Sequence, residues 1–249
     1  MLPTHCLLIE TPSSGLVLVD TGYGLEDVRR PHARLPWLWP ALINTRLHER
    51  DTARRQVEAL GFSPRDVRHI VLTHLDFDHA GGLEDFPEAR VHVLEAEREA
   101  AGHARGFVGR QRYRDKQWNA VRTWSTYAAG GDPWFGFEAV RALDGLPPEI
   151  LMLPLRGHTL GHAGVAVHVS DRWLLHAGDA YLHRDEMMPC PSCPPGLALY
   201  ERVMDSDHAA RLENQARLRT LKRDRADIQI FCSHDASELN ALRGKEPAP

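Results

Sequence analysis

The sequence has no run of eighteen apolar residues, so nothing in it reads as a membrane-spanning segment. It has little excess charge: thirty Lys and Arg stand against thirty-four Asp and Glu, a formal net charge of −4. That balance excludes the broad basic footprint expected of a nucleic-acid-binding surface. Only four cysteines occur, too few and too scattered for a disulfide framework. Cys6 and Cys232 lie in apolar runs and read as small core residues. Cys190-Pro-Ser-Cys193 has redox or zinc spacing but lacks a second pair and sits among prolines, so a plain loop is the first reading. No basic segment precedes an apolar stretch at the N-terminus, and a cytoplasmic location is the default expectation.

What remains is the composition of an ordinary globular chain, 249 residues long, 43% hydrophobic and 26% charged. No linker divides it, and the expectation is one domain over 1–249. Cys6 to Glu10 and Leu16 to Asp20 are short apolar runs separated by Thr11-Pro-Ser-Ser-Gly15, a hairpin signal. Asp51 to Leu60 reads as a helix stopped by Gly61, and Arg90 to Leu94 as a strand followed by a helix over Glu95 to Ala101. Ile150 to Leu155, Val165 to Val169, Trp173 to His176 and Ile228 to Cys232 read as strands, and Asp205 to Asp224 as a long helix. Pro31 to Arg50, rich in proline and aromatics, is expected to be a loop or lid, Met187 to Pro195 a loop, and Gly244 to Pro249 a frayed tail.

The chemistry concentrates between His69 and Gly82. Aliphatic residues Ile70 to Leu72 form a strand pattern; His74, Asp76, Asp78 and His79 follow within six positions; Gly81-Gly82 closes the stretch. Imidazoles and carboxylates so close together are the ligand set of a divalent metal with mixed nitrogen and oxygen coordination. The alternative, polar decoration of a surface loop, is disfavoured because the cluster follows directly on an apolar strand and similar residues recur at later strand ends.

Thr73-His-Leu-Asp-Phe-Asp-His-Ala-Gly-Gly82 resembles the His-x-His-x-Asp-His signature of the metallo-β-lactamase-fold hydrolases, which include glyoxalase II thioesterases and acyl-homoserine-lactone lactonases. Val19-Asp20-Thr21-Gly22, Gly157-His158-Thr159-Leu160-Gly161-His162, Gly178-Asp179-Ala180 and Cys232-Ser233-His234-Asp235 resemble the family's other segments in the same order. The resemblance implies an α/β fold, a four-layer αββα sandwich of two mixed β-sheets. It implies two divalent metal ions, one held by His74, Asp76 and His158, the other by Asp78, His79 and His234, with Asp179 bridging. Asp20 and His162 would hold these ligands in place. A metal-bridging hydroxide would open a lactone or ester carbonyl, with Asp78 relaying a proton and Tyr181 donating to the oxyanion. A glyoxalase II-like thioesterase and an iron-dependent redox enzyme are the alternatives, and a metal-free scaffold is a further one.

Asp76 departs from the pattern, since most members have histidine there. A carboxylate lowers the site's charge by one and offers a harder donor than imidazole. Zinc is therefore the first expectation, with manganese or iron competing better than usual. The lower charge also argues for a neutral substrate over a phosphodiester, and for stronger zinc retention when Asp76 is replaced by histidine. Segment 102–145 carries Phe107, Tyr113, Trp118, Trp124, Tyr127, Trp134, Phe135 and Phe137 interleaved with arginines. It reads as an inserted cap favouring a small-molecule substrate with an apolar portion, or as a homodimer contact. Nucleic acid, the third option, fits poorly with the chain's acidity.

Overall fold

The computed structural model describes residues 3–36, 46–140 and 142–244. Its contacts divide the chain into two compact units, one formed by Cys6–Val93 with Arg98–Thr126, the other by 2–5, 94–97 and 127–249. Among the described residues no helix is long and apolar enough to cross a membrane.

The first unit is built on a five-stranded sheet. Strand β1 (Leu7–Glu10) pairs antiparallel with β2 (Leu16–Val19), through the turn in which Gly15 adopts a φ of 70°. Strands β3 (Val67–Val71) and β4 (Arg90–Leu94) then add in parallel, and β5 (Thr123–Tyr127) completes the order β1-β2-β3-β4-β5. All four residues of β2 are buried, so it reads as a continuous apolar run rather than an alternating one. Leu18, Ile70, Leu72, Val91 and Val93 pack with Val57 of helix α3 (Ala53–Ala59) and with Leu75, Phe86 and Trp118. Helices α1 (Leu25–Arg29) and α2 (Pro31–Arg34) precede α3. The expected lid over 31–50 thus begins with a helical turn, while its residues 37–45 lie outside the described ones. Helix α4 (Glu95–Gly102) follows β4, and α5 (Gly106–Arg112) and α6 (Asp115–Trp118) lead to β5.

The second unit holds a hairpin, β6 (Asp132–Trp134) and β7 (Phe137–Ala139), and a four-stranded sheet. The sheet comprises β8 (Ile150–Pro154), β9 (Ala163–Val169), β10 (Arg172–His176) and β11 (Ile228–Phe231) in the order β11-β10-β9-β8. Strand β9 runs antiparallel to both β8 and β10, and β11 runs parallel to β10, so β8, β10 and β11 share one direction. Leu151, Leu153, Leu175 and Ile230 pack against Leu218 and Leu221 of the long helix α8 (His208–Asp224). The sequence-based expectation started that helix at Asp205. It starts instead at His208, because the Asp207 carboxylate caps it by accepting from the Ala210 amide at 3.0 Å. A separate helix, α7 (Pro195–Met204), lies upstream, and α9 (Ala236–Leu242) closes the second unit. Residues 245–249 of the expected tail lie outside the described ones.

The aromatic segment contributes to both units. The Arg98 guanidinium lies 4.6 Å from the Trp124 ring and 5.9 Å from that of Trp118, while Arg217 and Arg225 cover Phe137 and Phe135. Stacking of guanidinium on aromatic faces is one use of the arginine–aromatic interleaving.

Candidate metal centre

In the first unit the functional residues sit at the carboxyl ends of neighbouring parallel strands, where loops of α/β sheets gather ligands. Val19 of β2 is level with Val71 of β3; Asp20 follows the one and Thr73 to His79 the other. The two loops are zipped together. Thr21 donates from its amide and its hydroxyl to the His79 carbonyl, at 2.9 and 2.8 Å, and the Gly82 amide donates to the Thr21 hydroxyl. A Cβ on Gly82 would lie 3.0 Å from the Thr21 carbonyl oxygen, so the glycine permits this approach.

Asp20 organises what lies above. Fully buried, with a left-handed φ of 56°, it accepts from the Thr73 amide at 2.7 Å, the Thr73 hydroxyl at 2.7 Å and His79 Nδ1 at 2.9 Å. A hydroxyl has one proton, and here it goes to the carboxylate; Thr73 Oγ1 must then accept from His74 Nδ1, 2.9 Å away. Both imidazoles therefore carry their proton on Nδ1 and expose the Nε2 lone pair. His74 Nε2 faces Asp76 Oδ2 at 3.5 Å, and the His74 and His79 rings lie 4.0 Å apart. Ligand atoms of His74 and His79, and of Asp78 and His79, lie within 4.8 Å of each other.

The second unit repeats the construction. His158, Asp179 and His234 follow β8, β10 and β11, the three strands of common direction. His234 Nδ1 donates to the Pro3 carbonyl at 2.7 Å, which leaves its Nε2 lone pair 3.1 Å from Asp179 Oδ2. His158 Nε2 lies 3.6 Å from the same oxygen, and its Nδ1 lies 3.9 Å from the Asp205 carboxylate. His162 is committed elsewhere: Nδ1 donates to the Leu155 carbonyl and Nε2 accepts from the Asp179 amide, both at 2.9 Å. It orients the aspartate's backbone and has no nitrogen left for a metal.

These donors fit a cation. Lone pairs of His74 and His234 face carboxylate oxygens in buried surroundings, an arrangement that repels unless a proton or a metal ion lies between. The donor set, imidazole with carboxylate, suits zinc and, through its oxygens, manganese or iron. The Nδ1 atoms of His79, His74 and His234 are held by carboxylate, hydroxyl and carbonyl acceptors in turn, as is usual for histidines that ligate metals.

Tyr181 meets a carboxylate of its own. Its phenol is fully buried and donates to the Glu238 carboxylate at 3.0 and 3.1 Å, and burial with that carboxylate pushes its pKa well above the ordinary value. In this arrangement its proton is engaged by Glu238 rather than offered to a reacting oxygen. Cys190 and Cys193 are both free thiols. Cys193 lies near Glu186 and Glu201, where burial and the two carboxylates push it up to about 12, and Arg211 pairs with both glutamates.

Sequence reasoning missed three residues. Asp205, behind His158, lies between α7 and α8, where the sequence reading placed the first residue of the long helix. Gln117 of α6 donates to the Phe77 carbonyl at 2.9 Å. Arg112 of α5 is buried and pairs with Asp76, Nε to Oδ1, at 2.9 Å. Of these, only Arg112 had a signal, as one of several arginines in the aromatic segment.

The family described as the metallo-beta-lactamase superfamily matches residues 1–234. The chain belongs to that superfamily and has its fold. It is similar to a probable metallo-hydrolase of Mycobacterium tuberculosis, 42% identical over 93% of this chain and 74% of the relative. An N-acyl homoserine lactonase of a Bacillus species is 28% identical over 67% of this chain and 58% of its own length. Among solved structures, an N-acyl homoserine lactone hydrolase with N-hexanoyl-L-homoserine bound at its catalytic metal center superimposes with a TM-score of 0.70. That match covers 96% of this chain and 84% of the other at 22% identity, a likeness of fold alone.

Proposed function

We propose that the chain is a binuclear metal-dependent hydrolase that opens a lactone or ester carbonyl. The observation that supports it best is the facing of imidazole lone pairs and carboxylate oxygens in both units, at 3.5 Å for His74 and Asp76 and at 3.1 Å for His234 and Asp179. By the superfamily pattern, His74, Asp76 and His158 would hold one ion and Asp78, His79 and His234 the second, with Asp179 assigned to both. Two divalent ions held by these residues would supply a water acidified to a pKa of about 7 and a polarised carbonyl. Asp20 and Thr73 keep the His74 and His79 protons on Nδ1, so that both Nε2 atoms stay ligands. His162 holds the Asp179 backbone, and Pro3 holds His234. Asp78, 8% exposed, is the carboxylate that passes a proton to the leaving oxygen. The substrate is a small molecule, neutral and with an apolar portion; the names of the lactonase relatives favour the lactone.

The test is elemental analysis of protein purified without added metal, followed by lactone, ester and thioester assays before and after chelation. Close to two zinc or manganese ions per chain, with lactone or ester turnover abolished by the chelator, is the expected result. Preferred thioester turnover would support the glyoxalase-like reading instead, and tightly held iron with a visible absorption band the redox reading. Protein that holds no metal after reconstitution would refute the proposal.

A further inference from the structure

The superfamily's usual histidine at position 76 is neutral. Asp76 adds a negative charge, and the sequence alone therefore implies a site one charge poorer and a more zinc-retentive variant on return to histidine. The structure supplies the missing term. Arg112, 3% exposed, brings its Nε to 2.9 Å from Asp76 Oδ1, while the other carboxylate oxygen, Oδ2, faces His74 Nε2 at 3.5 Å. One oxygen is turned to the arginine and one to the ligand cluster.

The placement is built rather than incidental. Arg112 is in the last turn of α5, and the adjoining α6 presents Gln117, fully buried, whose amide donates to the Phe77 carbonyl at 2.9 Å and to Asp27 Oδ2 at 2.9 Å. Asp27 in turn pairs with Arg34. The segment 106–118 therefore grips consecutive residues of the motif loop, Asp76 by charge and Phe77 by its backbone. A guanidinium this deeply buried is costly to desolvate unless paired, and the Asp76 carboxylate at 2.9 Å supplies such a pairing.

We propose that Asp76 and Arg112 act as one charge-neutral unit that takes the place of the superfamily's histidine, with Arg112 a positioning residue. The unit restores the net charge of a histidine-bearing site and substitutes an oxygen donor for a nitrogen. Pull on an anionic substrate is then no weaker than in relatives with histidine, so a neutral substrate rests on the likeness to lactonases rather than on the charge at position 76; what changes is the hardness of the donor, in favour of manganese or iron relative to zinc. The same pairing reverses the expectation for Asp76→His: the imidazole would take the carboxylate at 2.9 Å away from the buried Arg112 cation and leave that cation beside the metal-ligand cluster.

The inference rests on the metal-binding reading above, and the test separates the two. Zinc and manganese affinities are measured by competition with a chromophoric chelator for wild type, Asp76→His, Arg112→Gln and the double variant, with the absorption spectrum of the cobalt-loaded proteins as a second readout. Thermal unfolding of the metal-free proteins checks that each variant folds. Asp76→His is expected to weaken zinc binding ~10–100-fold, the scale of losing a partner that supports a ligand. Adding Arg112→Gln to it is expected to restore zinc affinity to within a few-fold of wild type, with a cobalt spectrum altered toward an additional nitrogen donor and the preference for manganese reduced. A merely structural arginine would give the opposite order, the double variant being worse than either single one. Wild-type affinity in Asp76→His alone, or a double variant no better than Asp76→His, would overturn the proposal while the metal reading stands. Should Asp76→His not fold, failure of Arg112→Gln to recover its folding would likewise overturn it. If wild type binds no metal, both fall.

Discussion

Replacing Asp20 by asparagine separates the carboxylate's charge from its shape. Asparagine tolerates the left-handed φ of 56° at this position, so the backbone is not disturbed. With its carbonyl accepting from the Thr73 amide, the new NH2 stands where Oδ2 received the Thr73 hydroxyl and His79 Nδ1. Two donors now meet a donor. His79 is expected to turn to the Nε2–H tautomer and accept at Nδ1. The Thr73 hydroxyl, deprived of its acceptor, is expected to donate to His74 Nδ1, pushing the His74 proton to Nε2 as well. Two charge-assisted hydrogen bonds worth about 1.5–3 kcal/mol each are exchanged for neutral ones worth about 1 kcal/mol, a net loss of about 1–4 kcal/mol. Zinc affinity is expected to fall about 100-fold, because both Nε2 lone pairs are taken out of play. Urea unfolding of the metal-stripped protein reads the first quantity and chelator competition the second. Asparagine that holds zinc within threefold of wild type would refute the assignment of both tautomers.

Three further outcomes follow from packing and titration. Gly161→Ala would place a Cβ 2.0 Å from the Glu97 amide nitrogen, in the loop between His158 and His162; unfolding measurements are expected to show at least about 1–3 kcal/mol of destabilisation. Gly102→Ala, at the end of α4 with nothing within 4 Å of the added carbon, is expected to be neutral or to stabilise by up to about 1 kcal/mol, so equal effects of the two would contradict the packing. Glu201 is raised to about 8 by burial and then by the neighbouring Glu186 carboxylate. Because its folded pKa lies above the unfolded value, the folded state holds the extra proton, and stability contributed by the protonated group is lost as pH rises from about 4.5 to 8. Stability of wild type relative to Glu201→Gln is therefore expected to decline over that range and to level off above it; parallel pH profiles would contradict the shift.

The candidate ligands of the motif were legible because their signal is local: His74, Asp76, Asp78 and His79 crowd into six positions directly after an aliphatic strand. His158, Asp179 and His234 were legible as polar residues just past apolar runs, and their order along the chain carried the resemblance. Helix α7 was hidden because it opens on Pro194-Pro195-Gly196, which reads as a loop although proline is well suited to a first helical turn. Arg112 was hidden for a different reason. Its meaning lies in a partner on another element, and neither periodicity nor composition distinguishes it from the arginines that stack on aromatics. The spacing of Tyr181 from Asp179 likewise says nothing of Glu238, the group its hydroxyl meets.

The hydrogen bond from His234 to the Pro3 carbonyl joins residues 231 positions apart, and it is reinforced by the His5 amide on Ser233 and by His176 on the His5 carbonyl. At cellular synthesis rates of about 5–20 residues per second, roughly 10–50 s separate the emergence of these partners from the ribosome. Pro3 and His5 must wait through that interval for the segment they clasp. If His234 is a metal donor as proposed, an ion that depends on it can be loaded only after β11 and the residues behind it have been made.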